Sequence, residues 1–347
     1  MSRPKVAIIV LIYNGLEYLE DCFSSLEKLD YPKEDLEIIA VDNCSTESTV
    51  EFMKKNFPEV TLIESKKNLG YCGGNNLAIK YGLKKDFDYF FILNPDIIIG
   101  PECLKRLVSV IEQDKEIGIV QPKILLWQDK TRIQTSGNKI HYLGFAYSGD
   151  YRKEDNLSKE KKEITYASGS GMLVRRKIFE KTGLLPEYYF MYHDDLELGW
   201  QTWLYGYKIF LVPTAVLYHN YSFSRNKRKY FWMERNRCWF ILKNYKIGTL
   251  ILFAPALVIT ELGLLAYSLT SGWFGWKIKS YIAIFSKLNK VFKDRKRIQK
   301  QRIRSDREMS KLLTSMIKFE EVDNPILKMA NIFFSFYWQI IKLLIFQ

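Results

Sequence analysis

Residues 6–14 read V-A-I-I-V-L-I-Y-N. The first seven are apolar without a break, and Tyr13-Asn14 then ends the run. Such a run is expected of a strand buried on both faces, as in a parallel sheet. It is too short for the apolar part of a signal peptide, and no small-residue cleavage site follows it. Working outward, the spacing predicts a helix over 16–29 and a second strand over 37–42 (E-I-I-A-V-D). A helix over 46–56 and a third strand over 60–63 follow. A helix over 75–84 is entered through a glycine-rich turn, Gly70-Tyr71-Cys72-Gly73-Gly74. A fourth strand over 89–93 ends at Asn94-Pro95-Asp96. A helix over 101–113 and a fifth strand opening at 117–120 complete the run. This alternation predicts an α/β domain with a doubly wound sheet. Ligands then bind beyond the carboxyl ends of the strands, where Asn14, Asp42 and Asp96 are expected to converge.

Further along, residues 128–162 are polar and read as loops or short antiparallel strands. Residues 165–174 (T-Y-A-S-G-S-G-M-L-V) predict a strand with a close Gly-Ser-Gly approach. Residues 194–205 predict an amphipathic helix with three acids in its first turn. Residues 208–212 and 215–219 predict two short strands split by Pro213.

Several residues are suited to chemistry, each with a plainer role open beside it. Asp42 can accept hydrogen bonds from a base or ribose, or can cap the next helix. The glycines at 70–74, preceded by Lys66 and Lys67, allow close backbone approach to an anion. They do not match the dinucleotide fingerprint, which would follow the first strand, where only Gly15 stands. Asp96 can hold a divalent cation on a diphosphate, or belong to a simple N-P-D turn. Asp194, Asp195 and Glu197 satisfy a helix dipole, yet adjacent carboxylates also raise one another's pKa, which suits a general base. His219 ends a short strand, and its case rests on falling near Asp96. Residues 220–229, with Arg225, Lys227, Arg228 and Lys229, could close as a lid over phosphates.

None of these signals is specific alone, but their order is. The chain resembles the family 2 glycosyltransferases of GT-A fold, in particular the rhamnosyltransferase-like branch, over about residues 4–245. The matching stretches are V-L-I-Y-N at 10–14, V-D-N at 41–43, K-N-L-G-Y-C-G-G-N-N at 67–76 and N-P-D at 94–96. They continue with G-S-G-M-L-V-R-R at 169–176, F-M-Y-H-D-D-L-E-L-G-W at 190–200, V-P at 212–213, His219 and R-N at 235–236. The resemblance implies a mixed sheet flanked by helices. It implies a nucleotide site from Tyr13, Asn14, Asp42, Asn68, Gly70, Asn75 and Arg235. It implies Mg²⁺ or Mn²⁺ on Asp96 and His219, and Asp195 as catalytic base. Asp194, Gly169, Ser170 and Gly171 would shape the acceptor side. The implied donor is a dTDP- or UDP-linked sugar such as rhamnose, and the acceptor a lipid-linked or surface glycan. Three departures stand out. Asn94 replaces the first acid of the metal motif, D-D-x-E replaces E-D-x-D, and Gln201 follows Trp200 where an Arg is usual.

The 347 residues carry a net charge of +13. Residues 286–311 hold eleven Lys or Arg against three acids, a net +8. Such a block points to an anionic surface; without aromatic interleaving or a recognition motif, lipid is favoured over nucleic acid. The five cysteines form no C-x-x-C pair and read as reduced cytosolic thiols. Residues 247–270 are apolar except for Glu261 and long enough to span a bilayer. A simple crossing would put the basic block on the far side from a cytosolic catalytic domain, against the positive-inside rule. The expected arrangement is a catalytic domain over 1–245 and a helical, basic region over 246–347. The latter would lie on the cytoplasmic face of the cell membrane as a monotopic attachment. A non-catalytic scaffold and a nucleotide-dependent oxidoreductase are the competing readings.

Overall fold

The computed structural model describes residues 3–221, 226–318 and 325–345. In chain order the first elements are β1 (Val6–Ile12), α1 (Leu16–Glu27), β2 (Leu36–Asp42), α2 (Thr49–Asn56), β3 (Thr61–Glu64), α3 (Gly70–Leu83) and β4 (Tyr89–Leu93). Next come β5 (Ile97–Ile99), α4 (Cys103–Ile111), β6 (Ile117–Leu126), β7 (Ile133–Thr135), β8 (Asn138–His141), β9 (Ala146–Ser148), β10 (Lys162–Glu163) and β11 (Gly171–Arg175). Then follow α5 (Arg176–Thr182), α6 (Asp194–Leu204), β12 (Lys208–His219), α7 (Lys229–Asn244), α8 (Ile247–Thr270), α9 (Phe274–Ser286) and α10 (Leu288–Gln301). The chain closes with α11 (Asp306–Met309), β13 (Leu313–Thr314) and α12 (Pro325–Ile345). Packing divides it into two compact units. The first is Met1–Asn138, Ser148–Thr202 and Tyr207–Ser222; the second is Lys139–Tyr147, Trp203–Gly206 and Phe223–Gln347.

The first unit is built on a sheet of order β10-β12-β6-β11-β4-β1-β2-β3, with β5 added to β12 and β7 to β6. β1 lies parallel between β2 and β4, and every residue of β1 and β4 is buried. The unbroken apolar runs follow from this, since both faces are covered. α1 turns Leu19, Cys22, Phe23 and Leu26 toward the core, the spacing of one helical face. The sheet is mixed because β11 inserts antiparallel between β4 and β6. Helix–strand alternation alone reads as wholly parallel, and β11 breaks that pattern.

Three local expectations change. The glycine-rich stretch is the first turn of α3, not a loop before it. A Cβ on Gly74 would fall 2.3 Å from Leu11 Cδ1, so the missing side chain lets the helix lie close on β1. The two strands expected around Pro213 are one strand, β12. A register shift between Val212 and Val216 absorbs the proline, which has no N–H to give the ladder. The strand expected over 165–174 is regular only from Gly171.

The second unit is mainly helical, with a small sheet β13-β8-β9. Its core stacks Tyr142 on Trp338, with ring centroids 5.0 Å apart, beside Phe253 and Phe334. Glu261, the single charge of α8, is held by ionic partners. Lys277 Nζ donates to it at 2.8 Å and Tyr281 Oη at 2.7 Å, and Arg237 also pairs with it. Arg237 and Lys277 both reach Glu234 as well, so two cations and two anions balance. Part of the basic block is also used internally. Arg295 donates to Leu242 O and, at 2.7 Å, to Tyr245 O, and Gln299 reaches Lys243 O and Asn244 O at 3.0 Å. These carbonyls are the last of α7 and have no helical partner of their own.

Candidate functional site

The carboxyl ends of β1 and β2 are joined by short polar bridges. Asn14 takes a left-handed backbone (φ 50°), its N–H donates to Ser45 Oγ at 3.1 Å, and its Oδ1 accepts from Thr46 N at 2.8 Å. Tyr13 beside it remains 46% exposed, a free ring face at the strand end. Asp42 is buried and accepts from Ser45 N at 3.3 Å, so its carboxylate shapes the turn before α2 rather than capping that helix. Asn43 was not nominated from sequence, although it stands in the V-D-N match. Its Oδ1 accepts from Leu69 N at 2.9 Å, and its Nδ2 donates to Asn68 Oδ1 and Gly70 O. Asn68 Oδ1 also accepts from Gly70 N at 2.8 Å, which makes Asn68 a brace of the α3 entry. Asn75 is fully buried and donates to Tyr71 O at 3.0 Å. That bond ties its side chain to its own helix.

Asp96 and His219 come together through pairing of β5 with β12, which sets His219 opposite Ile97. His219 Nε2 lies 3.2 Å from Asp96 Oδ1, and Asn220 N donates to Asp96 O at 2.8 Å. His219 Nδ1 is buried and has no partner among the described residues. Those residues contain no cluster of three or more Asp, Glu, His or Cys fit to hold a metal. One carboxylate and one imidazole fit a hard cation that takes most of its ligands from phosphate and water.

Before α6 the backbone is strained. Phe190, Tyr192 and His193 have φ of 68°, 66° and 64°, a region that side chains other than glycine rarely adopt. Gly70, itself at φ +69°, makes room for this turn, because a Cβ there would meet Phe190 O at 2.3 Å. Cys72 N donates to the same carbonyl at 3.1 Å. Out of the turn come Asp194, buried, and Asp195, half-buried. Asp195 Oδ2 accepts from Gly169 N at 3.1 Å and its Oδ1 from Leu196 N at 2.8 Å. Tyr71 Oη donates to Gly169 O at 2.6 Å, a contact that a Cβ at residue 169 would obstruct. Ser170 Oγ lies 2.8 Å from Ser168 Oγ, and Ser170 O accepts from Asn94 N at 3.3 Å. Gly171 then starts β11 opposite Leu93. The segment 169–171 thus links Asp195 to the N-P-D turn that carries Asp96.

Burial raises the pKa of Asp194 well above the carboxylate range, and the charge of Asp195 adds to it. Burial also raises Asp195, opposed by the N–H groups of Gly169 and Leu196. Mutual repulsion was expected from sequence; loss of solvent is the larger cause. Glu197 is used structurally, accepting from Tyr189 Oη at 3.1 Å and from Gln201 Nε2 at 2.6 Å. Gln201, where the family pattern has a cation, thus gives Glu197 a neutral partner.

Arg235 belongs to the second unit, where its guanidinium lies 4.9 Å from the Phe231 ring and 4.5 Å from Trp239, and its Nε donates to Asn236 Oδ1. Four residues of the expected lid, 222–225, lie outside the described residues.

Solved structures share this fold. The mannosyltransferase PcManGT from Pyrobaculum calidifontis, in complex with GDP-Man and Mn²⁺, is 17% identical and aligns over 82% of this chain and 87% of its own, with a TM-score of 0.51. The 1–349 portion of S. aureus TarS is 17% identical over 97% of this chain and 90% of its own, TM-score 0.53. The architecture is of GT-A type, with a helical C-terminal region that includes one apolar helix. The family model for glycosyl transferase family 2 matches residues 7–183, and the chain belongs to that family. It is 29% identical to the low-salt glycan biosynthesis hexosyltransferase of Haloferax volcanii, over 55% of this chain and 59% of that one. It is 25% identical to the N-acetylglucosaminyl-diphospho-decaprenol L-rhamnosyltransferase of Mycobacterium tuberculosis, over 63% of this chain and 77% of that one.

Proposed function

We propose that the protein moves a sugar such as rhamnose from a dTDP- or UDP-linked donor to a hydroxyl of a lipid-linked or surface glycan, with inversion at the anomeric carbon. The observation that carries this reading is the link through 169–171 between Asp195 and the strand end bearing Asp96. Tyr13 and Asp42 hold the nucleoside, with Asn14, Asn68 and Gly70 shaping its floor. Asp96 and His219 would hold Mg²⁺ or Mn²⁺, which when bound supplies positive charge for the leaving diphosphate. Asp195 Oδ takes the proton of the acceptor hydroxyl as that oxygen bonds to the anomeric carbon. The bond to the diphosphate oxygen breaks on the opposite side, and one displacement inverts the centre. Burial raises the pKa of Asp194, and Asp195, held by the N–H groups of Gly169 and Leu196, serves as the base. Gly169, Ser170 and Gly171 line the acceptor side. The names of the mycobacterial and haloarchaeal relatives support a glycan product.

In this reading residues 1–245 carry catalysis, and 246–347 attach the protein to the cytoplasmic face of the cell membrane. α8 supports attachment: it is long and apolar enough to enter a bilayer, and much of its surface is exposed. The pinning of Glu261 favours a helix lying at the interface over one crossing it.

Calorimetry with UDP, dTDP and NAD, with and without Mn²⁺, tests the donor side. Metal-dependent binding of a nucleoside diphosphate but not NAD is expected, and binding of NAD alone would overturn the reading. Asp96→Ala is expected to weaken that binding about tenfold or more in the presence of Mn²⁺ and to leave metal-free binding unchanged. A donor screen that follows release of nucleoside diphosphate then identifies the sugar.

A further inference from the structure

A cleft of about 580 Å³ opens in the second unit between the start of α8 and one face of α10. Lys246, Arg295, Lys296 and Gln299 line it, and Ile247 and Phe292 form its apolar wall. We propose that this cleft seats the phosphate headgroup of an anionic membrane lipid. The proposal rests on the membrane-attachment reading and assigns the attachment a specific ligand chemistry.

Three cations line the cleft and no carboxylate does. One nearby acid, Asp306, is turned to other tasks: it accepts from Lys246 N at 2.8 Å and from Thr249 Oγ1, and it pairs with Arg302. Arg295 and Gln299 are fixed by their bonds to the α7 carbonyls, so one side of the cleft is already organised. Lys246 and Lys296 are exposed and can turn toward a phosphate from either side. Lys293 and Lys300, also exposed, recur at helical spacing beside Lys296 and widen the positive face.

The apolar wall distinguishes a lipid from a soluble anion. Ile247 is 66% exposed and Phe292 53%, and Ile251, one turn along α8, is 67% exposed. Cations alone would serve a free phosphate. Exposed aliphatic and aromatic side chains at the same mouth suit the acyl chains below a headgroup.

The test is vesicle co-sedimentation of the full chain, using phosphatidylcholine alone or mixed with phosphatidylglycerol. The wild type is expected to bind the anionic vesicles at least tenfold better. Lys246→Glu combined with Lys296→Glu is expected to lose that preference and keep the weaker binding to neutral vesicles. Lys55→Glu with Lys84→Glu makes the same charge change on the first unit and is expected to keep the preference. All four lysines are exposed, and thermal melting followed by circular dichroism checks that each variant folds. Inorganic phosphate at the concentration of lipid phosphate is expected not to release the protein. The proposal is overturned if the cleft variant keeps the preference, if the first-unit variant loses it equally, or if phosphate competes. A wild type that binds neither vesicle overturns membrane attachment itself, which is a separate failure.

Discussion

Asp195 is held on both oxygens, by the N–H groups of Gly169 and Leu196, while part of its surface stays open. In the proposed function this carboxylate takes the proton of the acceptor hydroxyl. Asp195→Asn is expected to lower turnover by about 10³-fold, within the range for loss of a general base. Binding of the nucleoside diphosphate should be unchanged; calorimetry and product release measure the two separately. Near wild-type turnover would remove Asp195 from the role. Asp194 behaves differently. Its pKa is raised in the folded state, so folding favours its protonated form. The stability it lends is therefore full at low pH and lost as pH rises through the raised value. Asp194→Asn abolishes that loss. The melting temperature of the variant relative to wild type is expected to grow by at least ~3 °C between pH 5 and pH 8, and a difference independent of pH would contradict the assignment. These acids were legible because they close an apolar run or open a helix. Asn43 and Tyr71 were not, although both lie in quoted motifs. Their importance is in bonds to Leu69 and Gly169, which spacing along the chain does not reveal.

At the scale of elements, the entry of α3 and the turn before α6 are built against each other. Gly70 has no alternative there: its φ is positive, and a Cβ would collide with a backbone carbonyl rather than a yielding side chain. Gly70→Ala is expected to destabilise the first unit by about 2 kcal/mol or more, read from chemical denaturation. An unchanged midpoint would mean that the 190–193 turn is free to move. The strands and helices expected over 6–120 are present, while β5, α5 and α7 carried no expectation, and α3 and β12 differ from their expected bounds. These last two differences share a cause. Helix α3 tolerates glycine because close packing on β1 requires it, and β12 continues past Pro213 because a bulge against β6 accepts it. Both are tertiary effects that override local propensity.

For the whole molecule, charge and apolar surface coincide in the C-terminal region. By sequence the basic block points to an anionic surface. In the fold, Arg295 and Arg302 serve internal contacts, while Lys290, Lys293, Lys296 and Lys300 of α10 are exposed. Attachment of this mixed kind has a distinct salt response. Raising NaCl from about 0.05 M to 0.5 M is expected to weaken binding to anionic vesicles several-fold and leave binding to neutral ones nearly unchanged. Equal loss on both would argue against an electrostatic contribution.

Apolar runs ended by Asn14, Asp42 and Asp96, the acidic start of α6, and the long apolar α8 are all readable in the chain, because each depends on neighbours a few positions away. Which of those acids meet is another matter. His219 reaches Asp96 across 123 residues through the β5–β12 ladder, and Asp195 reaches the N-P-D turn because β11 runs backward beside β4. Strand order and direction are set by how the sheet as a whole buries its faces, and no window of sequence contains that information.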